Sequence, residues 1–184
     1  YQQVYDQEGR PMEGVYVDRD ENGVINADDK YFFHKPAADF TMGLNTTLTY
    51  KNWTLAASGH GSLGNYIYNN VASDGEMLAD LWTNSFTSNR LESSLWSNFN
   101  QACYLSDYYI KDASFFKLDN VTLGYTFDCR NHKTVNNLRV YVTGQNLLTL
   151  TKYSGQDPEV NTTSVWDAGI DYCYFYPTVA TVLI

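Results

Sequence analysis

LRVYVTGQNLLTLTKYSGQDPEV, from Leu138 to Val160, is the stretch on which the fold turns. Its first half alternates. Arg139, Tyr141, Thr143 and Gln145 fall on one side, and Leu138, Val140, Val142 and Gly144 on the other. Successive side chains of a strand point to opposite faces, so this strand separates a polar from an apolar medium. It runs on through Asn146 to Tyr153 into a loop carrying Gly155, Asp157 and Pro158, residues that favour turns.

Working outward, the same period recurs. In FTMGLNTTLTY, Phe40, Met42, Leu44, Leu48 and Tyr50 share a face that only Thr46 interrupts, while Thr41, Gly43, Asn45, Thr47 and Thr49 share the other. Lys51-Asn52 has the length and chemistry of a hairpin turn, and the pattern resumes with Trp53, Leu55, Ala57 and Gly59. Between Ser114 and Phe127, Val121, Leu123, Tyr125 and Phe127 oppose Asn120, Thr122, Gly124 and Thr126. A last strand is expected over Thr178 to Ile184, its start weakened by Pro177. One helix is expected from Ser73 or Asp74 to Phe86, with Met77, Leu78, Leu81 and Trp82 at helical spacing and Asp74 as its cap. The connections alternate in length: 51–52, about 61–113, 128–137, about 154–173. Antiparallel barrels put short turns on one rim and long loops on the other, whereas a sandwich has no reason to segregate them.

Composition narrows the class. The 184 residues carry a formal net charge of −9 and no basic cluster, which argues against a nucleic-acid partner. Charged residues are 18% and aromatics 16%, a balance that suits aromatic-rich β-structure rather than disorder. No run of about 18 apolar residues exists, so no transmembrane helix is expected, and YQQVYDQEGRP at the N-terminus is not a signal peptide. Cys103, Cys129 and Cys173 show no metal spacing; they read as unpaired thiols, with a Cys103–Cys173 bridge as the alternative.

Two sets of residues carry candidate chemistry. In VDRDENGVINADD, Asp18, Asp20, Asn22, Val24, Asn26 and Asp29 stand at positions 1, 3, 5, 7, 9 and 12 of a calcium loop, with Gly23 at the sharp bend. Hard cations need several converging oxygens, and alternate residues of a tight turn supply them. Asp29 stands where a longer glutamate is usual, and no flanking helix pair is visible, so an acidic turn satisfied by its own backbone remains the alternative to a Ca²⁺ site. In the long loop, Trp82, Trp96, Tyr104 and Tyr108 lie near Asn98, Asn100 and Gln101, a mixture that stacks on sugar rings and meets their hydroxyls; loop packing and partner contact are the alternatives. His34, His60 and His132 belong to no nucleophile, metalloprotease or phosphate-loop motif, so an enzyme is not expected and no catalytic residue is assigned.

YIKDASFFKLDNVTLGYTF, then LRVYVTGQNLLTLTKYSGQDPEV, then Gly169-Ile170-Asp171 and Tyr176-Pro177 resemble the C-terminal strands of SusC-like (SusC/RagA) TonB-dependent outer-membrane transporters. The upstream blocks from Val17 to Asn69 resemble the same family in the same order. The resemblance implies an all-β chain: about five antiparallel up-and-down strands from the C-terminal part of a transmembrane β-barrel, with long external loops and one short helix. It implies a fragment, with 1–39 an external loop, 40–60 a hairpin, 61–113 a long external loop and 114–184 the last strands. It further implies the cell outer membrane, an oligosaccharide or peptide substrate, a SusD-like surface lipoprotein as lid, and TonB engaged through a part not in this sequence. The rival expectation is a secreted calcium-dependent carbohydrate-binding β-module, in which Met42, Leu44, Leu48, Val121, Leu123 and Tyr125 would meet in one dry core.

Overall fold

A computed structural model describes residues 1–79, 90–130, 135–160, 168–172 and 179–183. In chain order its strands are β1 (Gln3–Tyr5), β2 (Pro11–Tyr16), β3 (Phe40–Tyr50), β4 (Trp53–Leu63), β5 (Tyr66–Asn69), β6 (Ile110–Asp112), β7 (Phe115–Asp128), β8 (Asn137–Thr151), β9 (Ile170–Asp171) and β10 (Thr181–Leu183). Two short helices are described, α1 (Asn70–Gly75) and α2 (Ser94–Ser97). No helix among the described residues is long and apolar enough to cross a membrane. The chain divides into a strand unit, Ala37–Asn65, Ala113–Tyr153 and Tyr176–Ile184, and a loop unit, Tyr1–Pro36, Tyr66–Asp112 and Ser154–Phe175.

The strand unit is one antiparallel sheet of five strands in the order β10-β8-β7-β4-β3. Its register lines the apolar positions into rows that cross the sheet. Tyr50 faces Trp53, Trp53 faces Tyr125 and Tyr125 faces Val140. The next row on that face is Leu48, Leu55, Leu123 and Val142; farther along come Leu44, Gly59, Leu118 and Leu148, then Met42, Gly61, Phe116 and Leu150. The opposite face reads Thr47, Ala56, Thr122 and Thr143; Asn45, Ser58, Asn120 and Gln145; Gly43, His60, Lys117 and Thr149. A one-residue slip in any strand would mix the two faces, so the alternation fixes the register.

The apolar face does not close on a core. All 11 residues of β3 are exposed, with Leu44 at 58% and Leu48 at 61%. Met42 and Leu123 are exposed too, so the dry core that the secreted-module reading requires does not form among the described residues. Two glycines let β4 and β7 approach: a Cβ on Gly59 would lie 2.7 Å from the Lys117 carbonyl oxygen and 2.9 Å from the Phe116 ring, and one on Gly61 2.9 Å from the Phe115 carbonyl oxygen. The ladder breaks once on β7, between Leu118 and Asn120, where Asp119 stands opposite Asn146 and Leu147. Asn146 takes the left-handed φ of 51° that such a bulge requires. The bulge turns the Asp119 carboxylate to His60 Nδ1 at 2.8 Å.

The loop unit inverts this arrangement. Ala72, Phe99, Cys103 and Tyr109 form a buried cluster, with Tyr68 and Tyr108 packed against it. Tyr108 meets Phe99 edge-on at 6.1 Å and Tyr109 at 4.9 Å. The β1–β2 hairpin is tied down by buried Gln3, whose amide donates to the Met12 carbonyl at 2.6 Å and accepts from the Ser106 hydroxyl at 2.8 Å. The three short strands lie in the order β6-β5-β9, with β5 and β9 parallel.

The structure corrects the expected helix. α1 begins at Asn70, where the Asn69 side chain accepts from the Ala72 N–H at 2.9 Å. Asp74 lies inside the helix and accepts from the Asn70 amide. The helix stops at Gly75, and Met77 and Leu78 leave it to bridge Phe99, Leu78 N–H donating to the Phe99 carbonyl at 2.6 Å. Burial of Phe99 thus overrides the helical spacing of Met77 and Leu78. The rest of the expected span, 80–86, lies outside the described residues, and α2 is a second helix where one was expected. The last strand is described over Thr181–Leu183, within the expected 178–184.

Candidate functional site

The acidic loop closes on itself. Asp18 Oδ2 accepts from the Gly23 N–H at 2.7 Å, and Asp20 Oδ2 accepts from the Asn22 amide at 2.6 Å. The Asn22 side-chain oxygen accepts from the Val24 N–H at 2.7 Å. Glu21 and Gly23 adopt left-handed φ values of 60° and 84°, which fold residues 18–24 into the tight turn. Asp29 is the anchor. It is fully buried, and its two oxygens accept from the Arg19 N–H at 2.7 Å and the Asn26 N–H at 2.8 Å. Asn26 in turn caps the short 3-10 turn Ala27–Asp29, a reciprocal capping box. The backbone donors of Asn26 and then Arg19 hold the Asp29 carboxyl below its ordinary pKa.

Carboxylate oxygens of Asp18, Asp20 and Asp29 lie within 4.8 Å of one another. Calcium binds oxygens at about 2.3–2.6 Å, so two ligands of one ion stand at most about 5 Å apart. The three carboxylates fit that limit. Each ionised oxygen also keeps a second lone pair beyond the hydrogen bond it accepts. The same bonds equally satisfy a turn without metal, so geometry admits both readings.

A second feature was not anticipated from the sequence. The loop unit holds an open cavity of about 630 Å³ bounded by α1, residues 91–93, β6 and residues 154–156. Glu76, just past α1, is 3% exposed on its wall. Burial, and then the nearby charge of Glu76, push the Tyr109 phenol up. Glu76 Oε2 has no hydrogen-bond partner among the described residues. Lys111 reaches the same cavity with its ammonium 4.4 Å from the Tyr108 ring centre. Burial lowers the Lys111 pKa, and the Glu76 charge pulls the other way. The Tyr108 phenol is pushed up to about 12, chiefly by burial.

The four aromatics singled out in the long loop separate. Tyr108 lines the cavity. Trp96 and Tyr104 are exposed and do not line it, and Trp96 instead carries the Arg10 guanidinium 5.1 Å from its ring centre. Trp82 lies outside the described residues, as does Cys173. Cys103 and Cys129 are free thiols, Cys103 within the loop-unit core. Glu76, Lys111, Asn69, Gln156 and Asp171 were missed because they come from separate segments. The one local signal was an acidic Glu76 directly before the apolar pair Met77-Leu78.

No protein-family model matches the chain. It is 39% identical over 191 residues to the TonB-dependent receptor SusC of Bacteroides thetaiotaomicron, an alignment spanning 100% of this chain and 18% of that protein. To the TonB-dependent receptor P3 of Formosa agariphila it is 32% identical over 185 residues, 91% of this chain and again 18% of the relative. The chain therefore spans about a fifth of the length of the curated relatives it matches. Its fold superposes on the RagAB peptide importer in the closed-closed state with a TM-score of 0.66, covering 97% of this chain and 19% of that one at 22% identity. A two-faced meander with open edges and a sequence aligned end to end with SusC have one common explanation: the chain is a segment of a SusC-like TonB-dependent receptor.

Proposed function

We propose that the chain is part of the wall and the loops of an outer-membrane transporter that imports an oligosaccharide or a peptide. A SusD-like surface lipoprotein serves as its lid and TonB supplies the energy. The observation that carries this reading is the sheet with one apolar and one polar face. Phe40 and Tyr50 are ten strand steps apart on the apolar face. At about 3.3 Å per residue and a tilt near 40°, they span about 25 Å along the membrane normal, the height of a barrel's lipid-facing band. Tyr50, Trp53 and Tyr125 form an aromatic row at one end, with Trp53 and Tyr125 rings 4.8 Å apart, and Phe40 and Phe116 stand near the other. Aromatic girdles mark both interfaces of such barrels. The polar face, with His60, Asp119, Asn120 and Gln145, suits a wet lumen.

In this reading the chain performs no chemistry of its own, and the acidic loop holds Ca²⁺ as a structural clasp. The test is made in the cell that carries the full-length gene. The protein should fractionate with the outer membrane and co-purify with a surface lipoprotein. Deleting either that gene or the TonB gene should abolish growth on the same oligosaccharide or peptide. Growth unchanged on every glycan and peptide supplied would overturn the import reading.

A further inference from the structure

The charges of the chain are not spread evenly. Four of its 12 Lys and Arg residues, Lys51, Arg130, Lys133 and Arg139, stand in or beside the two short connections, 51–52 and 129–136. Of the 21 acidic residues only Asp128 stands with them, so this end is cationic in an acidic chain. The same end of the strand unit carries the aromatic row. Trp53 and Tyr125 meet edge-on at 4.8 Å and Tyr125 and Phe127 at 4.6 Å, with Tyr50 exposed beside them. Two cations lie past that row in defined positions. Lys51 takes its left-handed φ in a turn clipped to β7: the Thr126 N–H donates to the Asn52 carbonyl at 2.9 Å, and the Asn52 amide to the Tyr125 hydroxyl at 3.5 Å. Its ammonium lies 5.3 Å from the Tyr50 ring centre and makes no ion pair among the described residues. Arg130 gives its backbone N–H and its Nε to Asp128, at 3.1 and 3.2 Å. That contact holds one edge of the guanidinium and leaves the terminal nitrogens of an 83% exposed side chain to face outward, in the fork that matches a phosphate. Arg139 differs: it lies across Gly124 on the polar face, its Nε 3.2 Å from where a Cβ of that glycine would stand.

We infer that the short-turn end of the sheet is a docking surface for anionic phospholipid headgroups, Lys51 and Arg130 meeting the phosphates while Tyr50, Trp53 and Tyr125 sit at the boundary with the acyl chains. The inference rests on the barrel-wall part of the import reading and adds which lipid gathers at this end. Amphipathic rings belong at the water boundary of a bilayer, and cations just beyond them feel the negative charge of anionic lipids. A phosphatidylcholine headgroup brings a compensating ammonium with its phosphate. Phosphatidylglycerol brings a net negative charge, so a lysine and an arginine favour it.

The test uses the full-length transporter in vesicles of phosphatidylcholine and phosphatidylglycerol in equal parts. Photo-crosslinking probes of the two lipids, reactive at the headgroup, are mapped by peptide mass spectrometry. The phosphatidylglycerol probe should label residues 50–53 and 125–130 about three-fold more than the phosphatidylcholine probe, or better. Lys51→Asn, which tolerates the left-handed turn, combined with Arg130→Gln should bring the two probes level. Lys152→Gln, just past the other end of β8, should leave the preference intact. If the double variant fails to insert, Lys51→Asn decides alone. Equal labelling in the wild type, or a preference that survives the folded variants, would overturn the inference. Labelling suppressed by inorganic phosphate at constant ionic strength would mean a soluble phosphate ligand and would overturn it too. An acyl-chain probe separates this inference from the reading beneath it. If Leu48 and Leu123 are labelled while the short-turn end shows no preference, only the docking surface falls; if they are not labelled, the barrel wall falls with it.

Discussion

The two units solve opposite problems with similar residues. In the loop unit, Phe99 and Tyr109 are each 1% exposed and pack with Ala72 and Cys103, as the interior of a protein in water must. In the strand unit, Leu, Val and Tyr side chains line one outer face of a sheet, and Leu44, Leu48 and Val140 stay exposed. Contiguous apolar surface of that kind is rare on soluble proteins and marks a partner or a membrane. The hydrophobic effect operates in both units, and in the import reading the medium on the far side of the apolar groups differs. Where that medium is lipid, burial needs no second layer of protein.

Four measurements break or sharpen this contrast. Phe99→Ala should be the most costly, destabilising the loop unit by about 3–5 kcal/mol through the cavity it leaves. In the full-length protein, hydrogen exchange should speed up at Leu78, whose N–H bonds the Phe99 carbonyl, while β7 and β8 keep their protection. Equal loss in both units would mean that they share one core. Leu44→Arg should cost about 2–4 kcal/mol in reversible unfolding from lipid vesicles, as expected for a charge near the bilayer midplane. Its neighbour Asn45→Arg, on the polar face, should change little; similar costs at the two positions would remove the two-medium account. Calcium at about a hundred times its Kd should stabilise metal-stripped protein by about 2.7 kcal/mol, and Asp29→Ala should abolish the gain. A melting temperature indifferent to calcium and chelator would leave a plain acidic turn. Gly59→Val should be mildest, about 1–3 kcal/mol, because its side chain meets the fixed carbonyl of Lys117 as well as the Phe116 ring. An unchanged stability there would show that β4 and β7 have slack across the apolar face.

The strands were legible because their cause is local. Period-2 alternation from Phe40 to Tyr50 and from Leu138 to Val142 places residues on faces without knowledge of any neighbour. Lys51 and Asn52 likewise announced their own turn, and Lys51 adopts the left-handed φ of 53° that it needs. The helix was misplaced for the opposite reason. Asn69, not Asp74, caps it, and the fate of Met77 is decided by Phe99, twenty-two positions away. The bulge at Asp119 shows in the pattern only as a change of parity, from Phe116 and Leu118 to Val121 and Leu123. The acidic loop was legible as a spacing, and its geometry proved compatible with that spacing. The cavity was not legible, because Glu76, Lys111 and Gln156 are brought together only by the fold.

The outer edge of β3 has a consequence for how such a segment comes into being. Among the described residues β3 pairs only with β4, so one flank of an 11-residue strand presents its backbone N–H and C=O groups in an unbroken row. In hydrocarbon each such group would forgo a hydrogen bond worth several kcal/mol. Insertion of these strands one at a time into bare lipid is therefore prohibitively uphill. In the import reading, the sheet enters the membrane with its rim already paired to another strand. Made alone, the segment would satisfy that rim with copies of itself, stacking edge to edge into aggregates.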